Sequence, residues 1–217
     1  MADILALPFG MFDSVTYLIR MPGSVCLIDP SAPVARLPRD LPPVSLILAT
    51  HGHIDHLDQS DVWRSQTGSP LAIHGADAPA LTDPAVNLSG MMGRRLVFQP
   101  AQSLLEDHQL IVLDETHSLE VLHTPGHTPG CCCFLLQEEG QARALFSGDT
   151  LFAGSIGRLD LPGASQQAMQ ASLRRLAGLA RSLDLSPSHD LPVYPGHGPA
   201  TGLYREIQRN PFFSQSG

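Results

Sequence analysis

Apolar residues along the chain gather in short runs punctuated by Gly, Pro and Asn, and the period within each run separates strands from helices. Residues 4–9, 15–19 and 25–29 read as three strands, followed by a Pro-rich loop over residues 30–43 that holds no more than a short turn of helix. Further strands are predicted over residues 45–49, 71–74, 119–122 and 144–146, with a short apolar approach at 191–193. Residues 165–183 give the clearest helix. Met169, Leu173, Leu176, Leu179 and Leu183 recur at spacings of three and four, Ser165 stands at the N-cap, and arginines occupy the other face. Residues 58–66 read as a helix capped by Asp58, and residues 76–81 as a shorter one. The Pro, Asn, Ser and Gly of residues 82–92 suit a mobile loop near a cleft. No repeat, heptad array or shift in composition marks a boundary, so residues 1–217 are expected to form one domain with a substantial core.

Charge narrows the range of partners. The 13 basic residues are all arginines, and the formal net charge is −8. A surface of that sign repels nucleic acid, whose binding needs several cationic contacts. No run approaches the roughly 20 apolar residues that cross a bilayer. The start Met1-Ala2-Asp3-Ile4 lacks the basic residues of a signal peptide, so a cytoplasmic location is expected, away from membranes. Nothing in the sequence sets the oligomeric state.

Chemistry concentrates at one strand end. Directly after Ser45-Leu46-Ile47-Leu48-Ala49 the chain reads His51-Gly52-His53-Ile54-Asp55-His56, which places four metal-capable side chains within six residues. Extended backbone delivers His51 and His53 to one side, because alternate residues point the same way. Asp55 and His56 then turn toward a second ion. Imidazole and carboxylate donors suit zinc, iron or manganese, and open sites of this kind lower the pKa of bound water to roughly 7. Three more donors follow apolar runs and lie beside Gly or Pro: His127 in Thr124-Pro125-Gly126-His127-Thr128-Pro129-Gly130, Asp149 in Ser147-Gly148-Asp149-Thr150, and His197 in Tyr194-Pro195-Gly196-His197-Gly198-Pro199.

The cysteines stand outside this scheme. In a strand, Cys131 and Cys133 face one side and Cys132 the other, so the run cannot offer three thiolates to one ion. Its continuation, Phe134-Leu135-Leu136, fits a buried strand in which Cys serves as a small hydrophobe, and Cys26 lies in another apolar run. His74, His108, His117, His123 and His189 lack ligand spacing and read as surface or core residues, with His123 a candidate to brace the His127 loop. No Gly-x-Ser-x-Gly elbow, phosphate loop or dinucleotide fingerprint is present.

The ordered set His-x-His-x-Asp-His, His127, Asp149 and His197 resembles the metallo-β-lactamase superfamily over nearly the whole chain. The resemblance implies an α/β fold, a four-layer αββα sandwich with its metal site along one edge of two sheets. It further implies that His51, His53 and His127 hold one divalent ion, that Asp55, His56 and His197 hold the other, and that Asp149 bridges them. Zinc is the first expectation, with iron or manganese as alternatives. The stretches from Gly148 to Arg158 and from Tyr194 to Thr201 are similar to the glyoxalase II-like, or hydroxyacylglutathione hydrolase-like, branch. That branch hydrolyses thioesters such as S-lactoylglutathione by a hydroxide bridging two metal ions, with Asp55 and Asp149 in the catalytic positions. The chain ends 20 residues after His197, which corresponds to a short form without the C-terminal helical domain of longer members. Residues 157–162 also lack the Lys and Tyr of those members, leaving Arg158 as the candidate to bind a substrate carboxylate or to pair with Asp160, and Arg94 and Arg95 as further anion contacts or a solvated pair. The pattern Gly157-Arg158-x-Asp160 resembles persulfide dioxygenases as well. A single iron, held by His53 or its neighbour with His127 and Asp149, and oxygen consumption are the alternative it implies. A lactonase or β-lactamase activity, or a catalytically idle binding module, ranks below both.

Overall fold

The computed structural model describes residues 3–38 and 40–214. Met1 and Ala2 of the N-terminal stretch considered above lie outside the described residues. Contacts divide the chain into two compact units, residues 1–106 and 107–217, each built on one mixed six-stranded sheet.

The first sheet runs in sequence order: β1 (Asp3–Leu7), β2 (Thr16–Arg20), β3 (Val25–Ile28), β4 (Val44–Leu48), β5 (Leu71–His74) and β6 (Ser103–Leu105). The first three strands are antiparallel neighbours, and the pairs from β3 to β6 are parallel. Every residue of β3 is buried, as expected for an apolar run at the centre of a sheet covered on both faces. Between β4 and β5 the chain makes two helices, α1 (Ile54–Leu57) and α2 (Ser60–Thr67). From α2, Trp63 is fully buried among Leu18, Val25, Leu27 and Ile47, and its indole N–H donates to the Ala32 carbonyl at 2.8 Å. Gly68, with φ of 72°, ends α2 in the left-handed conformation that glycine adopts without steric cost.

The expectation that Asp58 caps a helix over residues 58–66 is overturned. The metal-capable segment itself turns helical at Ile54, so Asp58 closes α1, and Gln59 takes the N-cap position of α2 without a side-chain capping bond. The Asp58 carboxylate instead accepts from Gln59 Nε2 at 2.8 Å and faces Arg94 at 3.8 Å. Residues 82–92 are tied down by buried Asn87, whose amide donates to the Ala80 and Leu96 carbonyls and accepts from the Ser89 N–H.

The second sheet has the order β12-β11-β10-β9-β8-β7, comprising β7 (Leu110–Val112), β8 (His117–His123), β9 (Cys132–Glu138), β10 (Gln141–Gly148), β11 (Pro192–Pro195) and β12 (Thr201–Gly202). Glu139 and Gly140 join β9 to β10 with φ of 51° and 74°, the two positive values that a right-twisted hairpin favours. The parallel pair β10 and β11 is connected through α3 (Gln166–Ser182), whose N-cap Ser165 accepts from the Ala168 N–H at 3.2 Å as the sequence predicts. Met169, Leu173 and Leu176 of α3 are buried against Leu122, Cys133, Leu145 and Val193. Each such side chain contributes roughly 1.5–3 kcal/mol. Cys131, Cys132 and Cys133 are all buried, and among the described residues no cysteine forms a disulfide. Two further helices, α4 (Leu203–Arg209) and α5 (Pro211–Ser214), follow β12.

Candidate metal centre

In the first unit the donors sit where β4 gives way to α1. Its last strand residue, Leu48, is followed by buried Ala49 and Thr50, then by His51 and His53, also buried. His53 occupies the N-cap position of α1 but makes no capping hydrogen bond, so capping does not consume its ring. The His51 and His53 rings meet edge to face with centroids 4.9 Å apart, and the His56 ring lies 4.3 Å from that of His51. Helix α1 brings partly buried Asp55 beside His56, with Oδ2 at 3.7 Å from Nε2.

A residue that sequence reasoning passed over as a strand end, Asp29, sets the protonation of this group. Its Oδ1 accepts from the Thr50 N–H at 2.7 Å, and its Oδ2 accepts from the Thr50 hydroxyl at 2.8 Å and from His56 Nδ1 at 2.9 Å. Thr50 has one hydroxyl proton and gives it to Asp29, so at 3.0 Å it accepts from His51 Nδ1. Both rings therefore carry hydrogen on Nδ1 and a lone pair on Nε2, the form in which imidazole binds a metal. Asp29 holds φ of 55°, a left-handed conformation. Asp29 follows an apolar run just as Asp149 does, but its partners Thr50 and His56 lie far along the chain. Close packing fixes the loop further, because a Cβ at Gly52 would overlap the Ala80 side chain, and the Gly52 N–H donates to buried Asp77 at 2.8 Å.

The second unit gathers His127, Asp149 and His197. Asp149 Oδ2 lies 3.4 Å from His127 Nε2 and 3.7 Å from His197 Nε2. His127 Nδ1 donates to the Arg158 carbonyl at 2.8 Å, which again leaves Nε2 with its lone pair. Gly157 makes this approach feasible, since a Cβ there would overlap the Asp149 carbonyl oxygen and press on the His127 ring. His123 Nε2 donates to the Pro129 carbonyl at 2.9 Å and so braces the loop carrying His127. The Arg158 guanidinium is exposed and pairs with Asp160 through two bonds of 2.9 and 2.8 Å. That pairing raises the pKa of Arg158 and lowers that of Asp160. Three of the remaining histidines have local partners. His117 pairs with Asp114, His108 with Glu120, and His74 Nδ1 accepts from the Ala76 N–H.

Buried imidazoles with fixed Nδ1 donors, alternating with carboxylates, define a protein that holds divalent cations at loops beyond sheet strands. The donor set of the chain suits a two-metal site. Residues 10–197 match the model of the metallo-β-lactamase superfamily, and the chain belongs to that superfamily and has its α/β fold. The probable metallo-hydrolase YqgX of Bacillus subtilis (strain 168) is 31% identical over 214 residues, covering 96% of each chain. The hydroxyacylglutathione hydrolase GloC of Haemophilus influenzae (strain ATCC 51907 / DSM 11121 / KW20 / Rd) is 28% identical over 204 residues, covering 88% of each. Among solved structures, the BLEG-1 B3 metallo-β-lactamase is similar at 31% identity with a TM-score of 0.85, covering 98% of this chain and 100% of its own. TTHA1623 in a di-iron-bound form is similar at 33% identity with a TM-score of 0.75, covering 96% and 99%. Among the described residues no helix is long and apolar enough to cross a membrane.

Proposed function

We propose that this protein is a binuclear metal-dependent thioesterase that hydrolyses S-acylglutathione thioesters such as S-lactoylglutathione. On this reading residues 1–217 form one domain whose ligands serve one centre. His51, His53 and His127 would hold one ion, Asp55, His56 and His197 the other, and Asp149 would serve both. The observation that carries the hydrolase half is the fixed tautomer of His51, His56 and His127, each donating from Nδ1 to an oxygen and keeping Nε2 for a metal. The thioester half is supported by the likeness to the Haemophilus influenzae hydroxyacylglutathione hydrolase. Zinc is the metal proposed first, and the di-iron relative supports iron as the alternative. A cytoplasmic setting agrees with four cysteines that form no disulfide.

Divalent ions held by these residues would lower the pKa of a bound water and polarise the substrate carbonyl. The chain supplies the rest. Asp55 and Asp149 orient the attacking water by accepting its hydrogen bonds, as carboxylates held beside imidazoles do. The water gives up a proton to solvent as it attacks and forms the new C–O bond, the C–S bond breaks, and the departing thiolate takes a proton from solvent. Arg158 is the proposed contact for a glutathione carboxylate, which would have to take the place of Asp160 in its bidentate pair.

The Gly157-Arg158-Leu159-Asp160 segment supports a second reading, a persulfide dioxygenase with one iron. One experiment separates the two: metal-loaded protein is given S-lactoylglutathione and glutathione persulfide in parallel. Loss of thioester absorbance without oxygen uptake is expected. Oxygen uptake with persulfide and an intact thioester would replace the thioesterase with the dioxygenase.

A further inference from the structure

Hydrogen bonds at Nδ1 orient His51, His56 and His127, whereas an aromatic ring lies against His197. The Phe152 ring meets it edge to face with centroids 6.0 Å apart. Phe152 stands in a tight turn, where it and Ser155 exchange backbone hydrogen bonds across Ala153 and Gly154, the latter at φ of 73°. Helix α4 holds this turn with two buried side chains one helical turn apart. Glu206 Oε2 accepts from the Gly154 N–H at 2.8 Å, and Asn210 Nδ2 donates to the Ser155 carbonyl and to Glu206 Oε2, both at 3.0 Å. The other carboxylate oxygen, Oε1, accepts from the Thr201 hydroxyl at 2.6 Å.

A buried carboxylate is costly unless hydrogen bonds replace the water it has lost, and the three partners of Glu206 are neutral: an amide, a hydroxyl and a carboxamide. Anchoring α4 does not require that charge, because Leu203 and Ile207 already pack it against the apolar core. Nor does Asp149 depend on it. The Thr150 and Thr124 hydroxyls pair at 2.9 Å, and the Ser147 hydroxyl donates to the Leu151 carbonyl at 2.7 Å, so the chain around Asp149 is fixed before the Phe152 turn begins. What the carboxylate adds is a joint between that turn and the strand after His197. The loop carrying His197 is thereby tied at both ends, by the Gly196 N–H to the Gly148 carbonyl at 2.8 Å and by Thr201 to Glu206.

We propose that Glu206, seconded by Asn210, is a positioning residue for His197: it sets the spacing between the Phe152 turn and the Thr201 strand, and the Phe152 ring then fixes the plane of the imidazole. The inference rests on the reading of His197 as a metal donor and deepens it. The test compares wild type with Glu206→Ala, Glu206→Gln and Phe152→Leu, using the nuclear Overhauser contact between the Phe152 and His197 rings in metal-free protein and zinc affinity against a chelator. Glu206→Ala is expected to lose the ring contact and to weaken one zinc equivalent roughly 10- to 100-fold, and Phe152→Leu to weaken it similarly. Glu206→Gln should restore both readouts to within about threefold of wild type, since its amide oxygen accepts from Gly154 and Asn210 while its NH₂ donates to the Thr201 hydroxyl. Adding Glu206→Ala to Phe152→Leu should cost no more than about threefold further, because both act through one ring. A ring contact and zinc affinity that persist in Glu206→Ala while its melting temperature falls would reduce Glu206 to a packing role and overturn the proposal. Zinc affinity unchanged in Phe152→Leu would overturn it as well, even if Glu206→Ala fails to fold. If wild type binds no zinc while the ring contact still vanishes in Glu206→Ala and returns in Glu206→Gln, the metal reading fails and the positioning stands.

Discussion

Replacing Asp29 by Asn isolates the charge that fixes two ligand tautomers. Asn occupies left-handed backbone readily, so φ of 55° is retained. Its amide oxygen can keep the Thr50 N–H, but its NH₂ then faces the Thr50 hydroxyl and His56 Nδ1, which lie 2.8 and 2.9 Å from the oxygen it replaces. Both neighbours must become acceptors. His56 moves its proton to Nε2, and Thr50 turns its own proton toward His51, which does the same. To bind a metal each ring must return to the Nδ1–H form and leave a buried donor unsatisfied, at a cost of about 1 kcal/mol at the low end. Two such costs, ~2 kcal/mol, correspond to a roughly 30-fold loss of metal affinity, inside the 10–100-fold range for residues that orient ligands. Titration of apoprotein with zinc against a fluorescent chelator measures this directly. Affinity within about threefold of wild type would refute the tautomer argument.

Other outcomes follow from the same geometry. Asp55→Ala removes a partly buried carboxylate while the Ser14 bond holds its backbone, so turnover should fall at least ~100-fold with the melting temperature nearly unchanged. Full activity in that variant would contradict the two-metal mechanism. Gly157→Ala, which drives a methyl into the Asp149 carbonyl and the His127 ring, should lower both bound metal and melting temperature. Burial pushes the Cys26 thiol up to about 12 and the Cys133 thiol up to about 11, so at pH 8 no more than about one in a thousand of either is thiolate. Iodoacetamide mapping should find both unmodified in the native state and labelled in denaturant. Burial pushes the Asp114 carboxyl up, but hydrogen bonds from the Thr116 amide, the His117 ring and the His117 amide outweigh it and hold the carboxyl at about 2. A folded value below the usual value of roughly 4 adds stability above pH 4 that is lost as pH falls toward 2. Asp114→Asn should therefore be less stable than wild type in urea at pH 6, with the gap closing near pH 2.

Wherever an apolar period was long, the sequence was legible. The helix Gln166–Ser182, its Ser165 cap and the strand Leu71–His74 match their predicted spans closely, because packing of one apolar face decides them. The proposed donors leave a compact signature in the sequence, histidine and aspartate after strand ends. Illegible features were those set by three-dimensional neighbours. Asp58 looks like a cap in isolation, yet the preceding metal loop turns helical first and takes the cap's place. Nothing local distinguishes Asp29 from a strand terminus, because its partners Thr50 and His56 lie 21 and 27 residues away. Arg158 was singled out for its guanidinium, whereas its carbonyl positions His127. Backbone groups carry no residue-specific signal.

The measurement that bears most directly on the central claim is the stepwise return of zinc to apoprotein while S-lactoylglutathione hydrolysis is followed. Activity should be absent at the start and climb to a break at two equivalents of metal per chain. A break at one equivalent would remove the binuclear centre, and hydrolysis undiminished in metal-free protein would contradict the account altogether.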